Sequence, residues 1–244
     1  MGGAQADKNS TMKSIFILTG AGISAESGIE TFRSSTGLWE GHKVDDVATP
    51  AGFKRNPRLV FEFYNERREK IRAAHPNPAH LALARLEREF TGTVTLVTQN
   101  IDDLHKRAGS RNVIHMHGEA MKARCGECQH ISHCENSLDE TSICPACQVV
   151  GKLRPHIVWF GEMPFFMDDI SLALSNADLF ISIGTSGNVY PAAGFAEAAS
   201  RNGIPTIEVN PNSTAISPHF DEHLRGAAGE KVAEFVERIL ASDQ

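Results

Sequence analysis

The 244-residue sequence predicts an α/β fold, a doubly wound parallel sheet (a modified Rossmann arrangement) interrupted by a small zinc-binding insert domain. Three observations predict it. Strand-sized apolar runs alternate with helix-sized stretches, the order of a parallel sheet covered on both faces. The first run ends in Gly20-Ala-Gly22, directly before a helix-like segment. All five cysteines crowd between Cys125 and Cys147, where the alternation breaks.

The elements follow in order. Residues 13–19 (KSIFILT) form a buried strand, with a helix expected from about Ser24. Asn56-Pro57 and Asn77-Pro78 each pair an N-cap with proline at the first helical position, and the helices they open run to about Ala74 and Phe90. Residues 94–98, 178–183 and 205–210 are the second to fourth strands, with an alanine-rich helix after Pro191 and an amphipathic helix over about 230–241. Residues 118–154 show little periodicity. The domains therefore read as a tail over 1–12, a nucleotide-binding domain over 13–117 and 155–244, and a zinc-binding small domain over 118–154 joined by part of a helical insert within 34–75.

Composition sets bounds. Hydrophobic residues at 41% and charged residues at 22% are ordinary for a globular chain of this size. The net charge of −6 speaks against a nucleic-acid partner. No apolar run approaches the roughly 20 residues of a membrane span, and residues 1–9 carry no apolar targeting segment. Clustered cysteines suit a metal site in a reducing, cytoplasmic setting rather than a disulfide framework.

Cys125-x2-Cys128 and Cys144-x2-Cys147 are separated by fifteen residues. Two tight turns each offering two thiolates close a tetrahedron around Zn2+, and a four-thiolate site leaves no position for water or substrate. The zinc is therefore structural. Cys134, His130 and His133 lie inside the loop but lack a paired turn.

Gly20-Ala21-Gly22-Ile-Ser-Ala25 has the spacing that lets a pyrophosphate approach backbone amides, although a plain strand-to-helix turn has the same form. An acidic residue ending a second strand is missing: Asp45 and Asp46 stand about twenty residues on with no strand before them. A hydride-transferring dehydrogenase is thus disfavoured. Gln99-Asn100-Ile101-Asp102 follows the second strand, where ligands of such sheets bind. Asp102 could equally cap the next helix. His115 and His117 are both candidate bases at neutral pH, and the pattern alone does not choose between them.

Together these stretches resemble the sirtuins, NAD-dependent protein lysine deacylases. The matching segments are Gly20-Ala-Gly-Ile-Ser-Ala-Glu-Ser-Gly-Ile29, Thr31-Phe32-Arg33, Thr98-Gln-Asn-Ile-Asp102, His115-Met-His-Gly-Glu119, the two cysteine pairs, Val158-Trp-Phe-Gly-Glu162, Gly184-Thr-Ser186 and Val209-Asn210. The resemblance implies that His117 is the catalytic base, with Asn100 and Asp102 orienting ribose and nicotinamide amide. It implies NAD contacts at Gly20, Ala21, Gly22, Ala25, Thr31, Phe32, Arg33, Gln99, Asn100, Ile101, Asp102, Gly184, Thr185, Ser186 and Asn210. It implies that Val158, Trp159, Phe160 and Gly161 face Val189 and Tyr190 across an acyl-lysine peptide bound as an added strand, although Trp159 and Phe160 could be core aromatics. In the implied reaction the acyl oxygen attacks the ribose carbon as nicotinamide leaves. His117 then deprotonates a ribose hydroxyl, and water releases lysine and O-acyl-ADP-ribose.

Tyr64 and Arg67 project from one face of the helix after Pro57, a phenol and a guanidinium able to hold a carboxylate. Without the resemblance, this helix reads as a charged, solvated surface. With it, Tyr-x-x-Arg looks like the signature of the class III sirtuins, which implies desuccinylase and demalonylase activity beside deacetylation, and small Ala48 and Ala51 leave room for a longer acyl chain. Protein ADP-ribosylation from the same NAD site is the alternative. A non-enzymatic NAD-sensing zinc module is a third, and it requires His117→Tyr to be silent. The expected partners are acyl-lysine proteins or peptides, with no nucleic acid and no membrane, acted on by a monomer. Asp103, where the family more often has asparagine, and an extra, reactive Cys134 are the departures.

Overall fold

The computed structural model describes residues 12–30, 38–39 and 41–243. Strand β1 (Ser14–Thr19) leads into a 3-10 helix over Ala21–Ser27. A short hairpin, β2 (Leu38–Trp39) and β3 (His42–Lys43), precedes helices α1 (Val44–Val47), α2 (Pro50–Arg55), α3 (Pro57–Ala73) and α4 (Pro78–Glu89). Then come β4 (Thr93–Thr98), α5 (Leu104–Ala108), β5 (Val113–His115), β6 (Gly118–Cys125), β7 (Ile131–His133) and β8 (Leu153–Ile157). The chain closes with α6 (Met167–Ser175), β9 (Leu179–Ile183), α7 (Gly194–Arg201), β10 (Thr206–Val209), a 3-10 turn, β11 (Glu222–Leu224) and α8 (Ala228–Ser242).

The proline-led starts form as expected. Asn56 and Asn77 both cap their helices through side-chain oxygens, and the His80 side chain completes a capping box on the Asn77 amide. The main sheet is parallel with order β11-β10-β9-β1-β4-β5. The strand order reverses between β1 and β9, the switch point at which a cleft opens. Helices α4 and α8 cover one face over Ile15, Ile17, Ile181 and Ile183, while α6 and α7 cover the other over Phe16, Leu18 and Phe180.

The sheet differs from the sequence reading in two ways. It has six strands, not four. The additional β5 and β11 are three-residue edge strands, too short to show a pattern. The segment that seemed to lack periodicity contains a separate antiparallel sheet, β7-β6-β8. A bulge between Gly118 and Ala123 throws the inward–outward alternation of β6 out of phase, which hides the strand. This sheet runs to Ile157, beyond the expected end at Arg154. The helix expected from Ser24 is instead the 3-10 helix ending at Gly28, which has φ of 81°. Of the expected tail, only Met12 is described. Among the described residues, no helix is long and apolar enough to cross a membrane.

Candidate active site

A cleft of about 980 Å³ opens at the carboxyl ends of β1, β4, β9 and β10 and extends between the main sheet and the β6–β8 lobe. The glycine turn forms its inner wall, for a reason that spacing did not suggest. A Cβ on Gly20 would stand 2.8 Å from the Gly184 oxygen, and one on Gly22 would stand 2.7 Å from the Gly184 Cα. Gly184 itself has φ of 62°. The glycines are required first because the β1 and β9 turns cross at backbone distance. Asp45 and Asp46 lie in α1, just after the two-residue hairpin strand β3 and not at the end of a main-sheet strand.

Behind this wall, Asn100 Nδ2 donates to Ser24 Oγ at 3.0 Å, and Ser24 Oγ donates to Asp102 Oδ2 at 3.0 Å. The other Asp102 oxygen accepts the Leu104 amide at 3.1 Å, so Asp102 also satisfies the first free amide of α5. Burial pushes the Asp102 carboxyl up. His80 stands 3.5 Å from Ser24. Its Nδ1 accepts the Asn77 amide, which puts the ring proton on Nε2, facing Ser24. Burial lowers His80 to about 4, so it is neutral. Ser24 and His80 were not picked out from the sequence. Ser24 sits inside the glycine motif and was legible in principle, whereas His80 reads only as a capping residue.

The structure separates the two histidines. His115 is buried, lowered to about 4 by that burial, and does not line the cleft. His117 lines it. The Gln99 carbonyl lies 3.0 Å from His117 Nδ1, and a carbonyl only accepts, so Nδ1 carries the proton and Nε2 keeps its lone pair. Burial lowers the His117 pKa, which keeps that lone pair available at neutral pH. Gln99 is itself tied to Thr185 Oγ1 at 3.0 Å, and Asn210 Nδ2 donates to the Thr185 carbonyl at 2.9 Å. Ala25, Ile101, Gly184 and Ser186 line the same end. Thr31, Phe32 and Arg33 lie outside the described residues.

At the other end, α3 presents Tyr64 and Arg67 to the cleft. Tyr64 Oη accepts the Trp159 indole N–H at 3.0 Å, leaving its own proton for an acceptor, and burial pushes the phenol pKa up. The Arg67 guanidinium lies 4.3 Å over the Trp39 ring, a contact no sequence pattern announced. Ala48 is buried and lines the cleft, but Ala51 is exposed and does not, so only one of the two small residues bears on acyl length. Val158, Trp159, Phe160 and Gly161 line the same cleft as Val189 and Tyr190. The Trp159 ring is a core aromatic, 2% exposed with Arg154 at 3.5 Å, whereas Phe160 is exposed. The Val158 and Phe160 amides are already bound to the His117 and Ala48 carbonyls.

The four cysteine sulfurs lie within 4.8 Å of one another, with Cys125–Cys147 and Cys128–Cys144 at 3.7 Å. Zn–S bonds of about 2.3 Å in a tetrahedron separate sulfurs by about 3.8 Å, so the set fits zinc. Each knuckle closes on a left-handed residue, Gln129 or Gln148, with φ of 60°. His130, His133 and Cys134 stand outside the cluster. Cys134 is buried, its thiol donates to the Asn136 carbonyl and its pKa is raised by burial, the opposite of the reactive thiol expected.

The sequence pattern of the Sir2 family matches residues 20–191. The chain belongs to the Sir2 family. This sirtuin is 56% identical over 230 residues to an NAD-dependent protein deacylase of Vibrio cholerae, covering 93% of this chain and 94% of the relative. It is 54% identical to one from Salmonella typhimurium, covering 93% and 84%. Among solved structures, it aligns with a Sir2 homolog–NAD complex at TM-score 0.85 and 41% identity, covering 96% and 91%. It also aligns with Sir2Af2 bound to a myristoylated histone peptide at TM-score 0.73 and 35% identity, covering 96% and 94%. The sirtuin's cleft and its four-cysteine lobe thus belong to an enzyme family with NAD and acyl-peptide complexes among its members.

Proposed function

We propose that this NAD-dependent protein deacylase removes succinyl and malonyl groups from lysine as well as acetyl, working in the reducing cytoplasm that its free cysteines suit. The observation that carries the reading is one cleft holding His117 Nε2, the Asn100–Ser24–Asp102 chain and the Tyr64–Arg67 pair. NAD, when bound, supplies a ribose carbon that becomes electrophilic as nicotinamide leaves. Asn100 and Asp102, fixed through Ser24, orient what binds against them. His117 takes a ribose hydroxyl proton at Nε2, and the Gln99 carbonyl steadies the ring at Nδ1 as it becomes cationic. Cys125, Cys128, Cys144 and Cys147 would hold zinc, which keeps the lobe in shape and touches no reacting atom.

A buried acyl carboxylate is tolerable only if paired. Arg67 supplies the charge and Tyr64 a hydroxyl that stays protonated. Arg67→Met is expected to lower kcat/KM for succinyl-lysine peptides by about 100-fold, the scale of a lost charge-assisted pair, with acetyl-lysine turnover within about threefold. Equal loss on both substrates would overturn the acyl assignment. Mass spectra of the same reactions separate deacylation from the alternative, since a gain of ADP-ribose on the peptide would favour ADP-ribosylation.

A further inference from the structure

One buried carboxylate has no part in the reaction above. Glu208, on β10, is 1% exposed, and four side chains close around it. Thr214 Oγ1 donates at 2.7 Å and Ser217 Oγ at 2.7 Å. Arg225 Nη1 lies at 2.8 Å and His223 Nδ1 at 3.0 Å. Burial pushes the carboxyl up, but these hydrogen bonds outweigh it and hold Glu208 below the usual range, so it is ionised.

The partners share a location. Thr214 lines the NAD end of the cleft, as do Asn212 and Ser213. Ser217 Oγ, while donating to Glu208, accepts the Thr214 amide at 2.8 Å. Arg225 reaches from Glu208 to the Asn212 carbonyl at 3.0 Å and stands directly before cleft-lining Gly226. Residues 210–215 have no helix or strand of their own. Besides the Asn210–Thr185 bond and two backbone bonds, Asn210 N to the Leu224 carbonyl and Ser217 N to the Thr214 carbonyl, the side-chain hydrogen bonds that fix this segment's shape converge on Glu208, directly or through Arg225 and Ser217.

We infer that Glu208 is a positioning residue for NAD, a carboxylate under the cleft floor that holds segment 210–215 in the shape that receives the dinucleotide away from the reacting ribose. The inference rests on the assignment of this end of the cleft to NAD. It predicts a split that general loss of structure would not give. Glu208→Gln keeps the volume, removes the charge and turns an amide N–H toward donors. KM for NAD and Kd for ADP-ribose should each rise about tenfold, while KM for the acyl peptide stays close to wild type even though loss of the buried ion pair lowers the thermal midpoint. Arg225→Gln, at a half-exposed position that spares the core, should move the same two constants in the same direction by a smaller factor.

If NAD and peptide constants rise in parallel, Glu208 is merely structural and the inference is overturned. It is also overturned if ADP-ribose binding stays within about twofold of wild type in both variants. Asn210→Ala is the control on the underlying assignment. If Asn210→Ala weakens ADP-ribose and the two brace variants do not, the brace alone has failed. If Asn210→Ala also leaves ADP-ribose binding unchanged, the assignment of this end has failed and takes the inference with it.

Discussion

The two ends of the cleft are built from different materials. At the end proposed for NAD, the cleft-facing groups sit on strand termini: Gly20 after β1, Gln99 and Asn100 after β4, Gly184 after β9 and Asn210 after β10. Parallel pairing of adjacent strands fixes their relative positions. At the end proposed for the acyl group, Tyr64 and Arg67 come from a helix, Trp39 from a hairpin and Trp159 from the chain beyond β8. These are held by ring contacts, with Trp39–Phe63 at 5.2 Å and Tyr64–Trp159 at 6.5 Å. Hydrogen-bonded strand ends tolerate little change, whereas a cage of side chains can be altered one residue at a time. The architecture therefore allows acyl preference to shift without disturbing the NAD end.

Zinc should divide the two ends most sharply. The acyl wall hangs from β8, which pairs with β6, and β6 ends in Cys125. Structural zinc is worth about 10–16 kcal/mol to a four-thiolate lobe. Chelation, or Cys144→Ser, should abolish peptide turnover, while ADP-ribose binding, read by calorimetry, stays within about fivefold of wild type. Equal loss of ADP-ribose binding would show that the ends are not separable.

His117, the proposed base, would serve both ends, so its loss should not discriminate. His117→Asn is expected to lower kcat by about 10³-fold on acetyl- and succinyl-lysine alike, with KM for NAD little changed. A succinyl-only defect would break the assignment. The lone pair is the active form and burial lowers the pKa, so the acid limb of the wild-type kcat profile should fall below 6.5, the ordinary histidine value. An acid limb above that value would contradict the neutral ring.

What was legible in the sequence divides along the same line. The knuckles could be read because their partners are close in sequence, and the glycine turn because its pattern is local, although the Gly184 backbone it packs against is not. Asn210 and Gly184, far apart in the chain, were found only through family resemblance. The Trp39 stack on Arg67, the Ser24–His80 contact and the four partners of Glu208 depend on how elements pack, and no spacing encodes that. The short strands β5 and β11 were missed because three residues cannot display a period.

The smallest expected effect tests what lies beneath each end. Behind the NAD end are two neutral histidines, His80 and His105, with ring centroids 4.8 Å apart, and burial has lowered both. Behind the acyl end are Arg67 and Arg68, guanidiniums that stay charged, and one half-buried histidine, His156 on β8, that burial lowers to about 4. With two such fully buried histidines against one half-buried one, acid should act more strongly on the NAD end. A histidine at 6.5 unfolded and about 4 folded binds its proton only in the unfolded chain as pH falls through that window. Stability is then full above 6.5 and declines toward 4, by about 2 kcal/mol per such histidine at pH 5. Asp102, raised by burial, works in the opposite sense and softens the decline. Thermal midpoints between pH 7.5 and 5 should fall, and His80→Gln should flatten the curve by about one histidine's share. The falling limb should appear in ADP-ribose binding before it appears in near-ultraviolet signals from Trp39 and Trp159. The reverse order would place the acid-sensitive foundation under the acyl end.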